Sequence, residues 1–175
     1  MTTDYTDGTD AEALFVFTVK SASKILLSLF LIACFAAPTL RAQREKLPPD
    51  DLEFVEKTWP TAKKTNTGMR YVILQEGHDD KPKAGDKVEV LYVGRLLNGT
   101  EFDRAQDREH AFPFRVGRGA VIDGWDQILP MMKLGEKRLV IIPPELAYGT
   151  RGQAPKIPRN ATLVFEIELI AIKRD

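Results

Sequence analysis

Residues 147–165 gather the loop-forming and aromatic types most capable of building a site: Ala147-Tyr148-Gly149-Thr150-Arg151-Gly152, then Ile157-Pro158-Arg159-Asn160, running into Ala161-Thr162-Leu163-Val164-Phe165. Ordering a glycine-bearing loop costs backbone freedom, and a loop held between two strands at that cost shapes a site. Asp103, at the start of another strand, and Trp125, in a stretch of helical spacing, add a carboxylate and a large apolar surface. A phenol, a carboxylate and apolar rings make a recognition surface rather than a nucleophile or a metal centre. His78 and His110 are the only histidines and lie far apart in sequence, so neither a zinc site nor a histidine-based triad is expected. Cys34 is the only cysteine, which leaves no intrachain disulfide.

The elements that position these residues are mainly strands. Met69–Gln75 is β-branched and aromatic-rich, and Lys87–Leu97 alternates, with Val88, Val90 and Tyr92 on one face and Leu91 and Val93 on the other. Asn98-Gly99 is a strong hairpin signal, and Glu101-Phe102-Asp103 begins the return strand. Ala105–His110 is a polar bulge or loop. Phe112, Phe114 and Val116 share a strand face. Then the period changes: Trp125, Ile128, Leu129 and Met132 predict a helix over Asp123–Met132, which Pro130 stops early. Lys137–Ile142 is a strand closed by Pro143-Pro144, and Ala161–Ile172 is the longest, with Leu163, Phe165, Ile167 and Leu169 facing one way. One short helix cannot flank a parallel sheet, and the hairpin is antiparallel. The expected architecture is α+β: a curved antiparallel β-sheet, a half-barrel, wrapped around one short α-helix. Taken singly, Trp125, Phe112 and Phe165 read as core, Asp103 as a hairpin charge and Tyr148 as a loop aromatic.

The ordered set of segments adds to this. Gly85-Asp86-Lys87-Val88, Tyr92-Val93-Gly94, Asn98-Gly99-Thr100-Glu101-Phe102-Asp103, Phe112-Pro113-Phe114, Val121-Ile122-Asp123-Gly124-Trp125, Ala147-Tyr148-Gly149 and Ile157–Phe165 resemble, in order and spacing, an FKBP-type peptidyl-prolyl cis–trans isomerase domain of the single-domain bacterial kind. The resemblance covers Thr67 to about Lys173. It implies an apolar bowl with Trp125 as floor and Tyr92, Phe112, Val121, Ile122 and Phe165 as walls. Tyr148 and Ile157 would line the rim, Phe102 and Asp103 the opposite side, with Arg108 near the aspartate. Asp103, Tyr148, Ile122 and Trp125 would carry catalysis and the others substrate binding. The Ile122 N–H and the Tyr148 hydroxyl would bond ligand polar groups. Gln153 departs from many relatives, and Lys156 adds positive charge at the rim.

The implied reaction rotates an X–Pro amide over a barrier of ~18–20 kcal/mol set by resonance. An apolar pocket penalises the dipolar planar amide, and fixed hydrogen bonds stabilise the twisted carbonyl. No metal or cofactor is implied. The partners implied are proline-containing unfolded or exported polypeptides and macrolides of the tacrolimus and rapamycin kind. The alternative is a proline-segment-binding chaperone module with little turnover.

The remainder of the chain sets the context. Lys+Arg and Asp+Glu are both 25, a balance that gives no reason to expect nucleic acid. Residues 1–42 read as a signal-like or membrane-anchor segment: Lys20 and Lys24, the apolar run Ile25–Ala37, and a cleavage site after Ala42. Leu31-Ile32-Ala33-Cys34 resembles a lipobox, which would lipidate Cys34. The expectation is an exported, periplasmic or cell-envelope protein, monomeric, with attachment to the membrane through residues 14–40 as one option. Residues 43–66 read as a polar linker in which Asp50–Trp59 forms a short helix, with Leu52, Val55 and Trp59 on one face, packing loosely on the domain at 67–175.

Overall fold

Every pairing in the sheet is antiparallel, and the long strand β3 (Lys87–Leu96) carries the most partners. The computed structural model describes residues 45–78 and 80–174, which belong to one compact unit. The signal-like segment and Cys34 lie outside the described residues. Along one edge β3 pairs β5 (Phe112–Arg115) through Lys87–Val90 and β4 (Glu101–Ala105) through Tyr92–Arg95. Along its other edge it pairs β7 (Leu163–Lys173) over its full length. Beyond β7 come β6 (Lys137–Ile142), β2 (Arg70–Gln75) and the two-residue β1 (Lys63–Lys64). The β3–β4 hairpin turns at Asn98-Gly99 because Gly99 accepts a φ of +86° and Asn98 Oδ1 takes the Thr100 N–H at 3.0 Å.

Two α-helices cover opposite faces. Helix α2 (Asp123–Ile128) lies in the hollow of the sheet, where Trp125, Ile128 and Leu129 pack among Val88, Val90, Val140, Phe165, Ile167 and Leu169. Its backbone approaches β6 so closely that a Cβ on Gly124 would sit 2.7 Å from Ile142 Cγ2. The helix is shorter than the spacing predicts. Pro130 has no N–H to donate, so Leu129–Met131 tightens into a 3-10 turn that still buries Leu129 and leads to the buried Met132.

The other helix, α1 (Pro49–Thr58), is no loose spacer. Val55 is fully buried with Leu47, Leu139, Ile141 and Val164, and Leu52 and Trp59 flank them. The reason lies in β6 and β7. Val140, Ile142 and Phe165 face the hollow while Leu139, Ile141 and Val164 face outward. Strands apolar on both faces need cover on both. Glu45 anchors the approach to α1. Its carboxylate accepts from Arg70 at 3.0 and 3.2 Å, from Lys64 at 2.8 Å and from the Leu47 N–H at 3.0 Å. Burial pushes this carboxyl up, but the bonds from Arg70, then Lys64 and Leu47, outweigh it and hold it at about 2, against an ordinary 4.5.

A folded-state pKa below the unfolded one stabilises above the unfolded value and stops doing so as pH falls through the folded one. Glu45→Gln should therefore lower stability at pH 7 by about 1 kcal/mol, screening cutting the effect of a carboxylate 28% exposed. The gap to wild type should shrink between pH 4.5 and 2. Urea melts of both proteins across that range check it. A gap that persisted at pH 2 would show that Glu45 acts through shape alone.

Candidate functional site

A tight aromatic cluster creates the site. The Trp125 ring, 4% exposed, forms the floor of a cavity of about 180 Å³. Tyr92 meets it edge-on at 4.9 Å between centroids, and Phe165 does so at 5.3 Å. Phe112 stands at 6.1 Å and Phe114 at 5.8 Å. Such edge-to-face pairs add ≈0.5–1.5 kcal/mol each beyond the area they bury. The indole Nε1 is buried without an acceptor among the described residues, so packing rather than a hydrogen bond sets the ring's place. Phe102 stacks edge-on to Phe165 at 5.6 Å. Both rings lie over the backbone of Gly94, where a Cβ would come within 2.8 Å of each. Glycine is required there for approach, not for an unusual turn.

Val121 and Ile122 reach the cavity from the loop before α2, together with Ala120. That loop is held by Asp126, whose carboxylate accepts the Gly117 and Gly119 N–H groups at 2.9 and 2.8 Å. Gly117 and Gly119 both have positive φ, 70° and 66°. Ile122 caps α2, and its carbonyl accepts the Trp125 N–H at 2.9 Å. Its own N–H has no acceptor among the described residues, as expected in the first turn of a helix.

Polar groups share this lining. Tyr92 Oη donates to Asp103 Oδ2 at 2.7 Å, and the Arg104 N–H donates to Asp103 Oδ1 at 2.9 Å. Burial, then the bond to Asp103, pushes the Tyr92 phenol above its usual range. Burial, then the charge of Asp103, pushes the Tyr148 phenol up as well. Both therefore stay protonated at neutral pH. Tyr148 lines the same cavity from the long loop. The site is an apolar bowl with a fixed carboxylate, a phenolic donor and an unpaired backbone N–H, an arrangement that can grip a small ring and polarise a nearby carbonyl without exchanging protons.

The structure thus brings Tyr92, Phe102, Asp103, Phe112, Val121, Ile122, Trp125, Tyr148 and Phe165 around one cavity. Two residues expected there lie elsewhere. Arg108 pairs with Glu168, an outward-facing residue of β7, and lines a separate cleft of about 240 Å³ with Leu91, Val93, Lys137 and Glu166. Strand alternation puts Glu168 on the face opposite Phe165 and Ile167, so its partner is drawn to the outside. Ile157 is buried in the core and exchanges both backbone hydrogen bonds with Gln153 at 2.8 Å. It supports the loop from beneath instead of facing the cavity. Lys156 is tied down too: its Nζ donates to the Phe102 carbonyl at 3.0 Å, linking the rim loop to β4. Sequence reasoning gave no role to Asp126 or Gly94. The available signals were an acid in the first turn of a helix for Asp126 and, for Gly94, a glycine inside a strand, which marks a close approach without naming the rings that make it.

Residues 78–170 match the sequence family described as FKBP-type peptidyl-prolyl cis-trans isomerase. The chain is 50% identical over 93 residues to FK506-binding protein 1A of Aspergillus fumigatus, spanning 53% of this chain and 83% of that one. It is 45% identical over 106 residues to FK506-binding protein 1 of Dictyostelium discoideum, 61% of this chain and 99% of that one. Among solved structures it is similar to a peptidyl-prolyl cis-trans isomerase from Pseudomonas syringae pv. tomato, with a TM-score of 0.64, 38% identity, and coverage of 71% of this chain and 92% of that one.

Proposed function

The chain belongs to the FKBP-type peptidyl-prolyl cis-trans isomerases, and we propose that it turns X–Pro bonds in the bowl floored by Trp125, by shape and fixed dipoles rather than by proton transfer. The carrying observation is the bowl itself: aromatic walls over Trp125, with the bonded Tyr92–Asp103 pair and Tyr148 in the same lining. The prolyl ring sits on the Trp125 face. The walls strip water from the amide, which weakens the dipolar planar form relative to the twisted one. The Ile122 N–H and the Tyr148 hydroxyl donate to substrate carbonyls. Asp103, held by Tyr92, sets the field at the twisting bond. The barrier to be lowered is ~18–20 kcal/mol, and each thousandfold of rate needs ~4 kcal/mol of it.

A second support comes from the phenols. With Tyr92 and Tyr148 both pushed above their usual range, neither titrates near neutrality. The pH profile of kcat/KM with a Leu-Pro peptide should be flat between roughly 5.5 and 8.5. Tyr148→Phe should keep substantial activity. Asp103→Leu should lose more, through its field and the packing around Tyr92. A proton-transferring group would instead cost on the order of 10²–10⁴-fold on removal and impose a titration on the rate. A bell-shaped profile that flattens in either variant would defeat this mechanism.

Relatives of this chain are named for binding FK506, and we extend that to this bowl, as for rapamycin. Either macrolide should inhibit turnover. Trp125→Ala, which removes the floor, should weaken binding by at least about tenfold in protein whose circular dichroism shows it folded. Undiminished binding to that variant would place the macrolide elsewhere.

The substrates proposed are exported polypeptides, a reading supported by the charge and apolar pattern of residues 1–42 alone. Mass spectrometry of the mature protein should find it beginning at Gln43, or carrying lipid at Cys34. An intact Met1 on protein in the cytoplasmic fraction would refute export.

A further inference from the structure

The rim loop, residues 147–160, is gripped at both stems by the segment that precedes the family match. At its entrance, Lys46 Nζ lies 3.4 Å from Glu145 Oε2, in the turn that leads to Tyr148. At its exit, Thr162 Oγ1 donates to Asp51 Oδ2 of α1 at 2.5 Å. The two contacts differ in weight. The Lys46–Glu145 pair lies half in solvent, its glutamate exposed, and contributes little. Thr162 is 3% exposed and precedes β7, which carries Phe165. A buried hydroxyl needs its acceptor, and a charged acceptor makes the stronger bond.

Between its stems the loop is closed on itself. The Asn160 N–H bonds the Gly149 carbonyl at 2.8 Å, the Gly152 N–H bonds the Tyr148 carbonyl at 3.1 Å, and Gln153 and Ile157 exchange two bonds at 2.8 Å. Lys156 and the buried Ile157 hold the middle of the loop, and its Tyr148 and Asn160 ends, joined through Gly149, take their place from the stems. Helix α1 cannot shift with them, because Leu47 and Val55 are buried against Leu139, Ile141 and Val164, and Glu45 is bonded to Arg70.

We propose that Asp51 is a positioning residue for this isomerase: through Thr162 it fixes the exit stem of the rim loop, and so sets where Tyr148 stands over the bowl. Helix α1 then acts on the site from the opposite face of the sheet, through one hydrogen bond. The inference rests on the reading of Tyr148 as part of the site.

The test uses the full chain with Asp51→Ala, Asp51→Asn, Thr162→Val and the pair Asp51→Ala/Thr162→Val. Thr162→Val removes the donor while keeping the volume filled, so the test survives if Asp51→Ala fails to fold. Four quantities are read: kcat and KM for a Leu-Pro peptide, melting temperature, and hydrogen exchange at the Gly152, Ile157 and Asn160 amides against amides of β3 and β7. Asp51→Ala and Thr162→Val should each speed loop exchange roughly tenfold beyond any change in the strands. Each should raise KM by roughly 3–10-fold with kcat within about twofold. The pair should be no worse than the worse single change, and Asp51→Asn, which keeps an acceptor oxygen, should return most of KM. Wild-type loop exchange and KM in Asp51→Ala or Thr162→Val, whatever the melting temperature, would overturn the proposal. So would exchange that rises equally in loop and strands. If wild type bound and turned over peptide but KM ignored a loosened loop, the role given to Tyr148 would fall and the stem coupling would stand on exchange alone.

Discussion

Everything near the site depends on keeping an aromatic hollow open inside a packed core. An apolar cavity in water tends to collapse, since its lining forfeits contacts. Here collapse is resisted by rings that brace one another: Trp125 against Tyr92 and Phe165, Phe165 against Phe102, Phe112 against Tyr92. Edge-on contacts lock each plane, so no ring can fall into the space without breaking pairs on its other side. The backbone must yield room for this. Gly94 lets Phe102 and Phe165 lie across β3, and Gly124 lets α2 sink onto β6 so that Trp125 becomes the floor. Two missing side chains thus set the depth of the bowl.

That depth in turn requires a rigid sheet. Strands β6 and β7 are apolar on both faces, and α1 seals the outer one through Val55 and Leu47. With both faces covered, the middle of the sheet has no freedom to flatten. The polar mouth is fixed by the same economy of motion. Asp103 is bonded by Tyr92 and the Arg104 N–H, Asp126 holds the loop carrying Ile122, and Lys156 ties the rim loop to the Phe102 carbonyl.

Much of this was legible in the chain, and the parts that were not share a cause. Period-two runs placed β3, β6 and β7 within a residue or two, because alternation reports which side of a sheet is wet. Asn98-Gly99 marked its hairpin for the local reason that glycine tolerates positive φ. Helix α1 was legible as a helix but not as cover, although the unbroken apolar runs Leu139–Ile142 and Leu163–Phe165 carried that information. Arg108 was placed near Asp103 by resemblance, yet its partner is Glu168, sixty residues away on the outer face. Ile157 looked like a rim residue for want of any sign that Gln153 would pair with it. Local rules see one strand or turn at a time; these placements depend on pairings between distant segments.

The chemistry follows from what the bowl withholds. Its titratable phenols are driven away from neutrality by burial, and Asp103 is already bonded on both oxygens. A site built for acid–base work needs groups poised near the working pH, and the two phenols here are not. Rotation about an amide needs no such group. The bond to be twisted loses resonance as it turns, its carbonyl changes direction, and the groups around it must already stand where the twisted form wants them. Rigidity of the bowl is then the catalytic property, and the rim loop adds binding to it. A loop free to drift would still close over a proline, but it would spend part of its binding energy on its own ordering and hold the planar and the twisted amide less tightly alike.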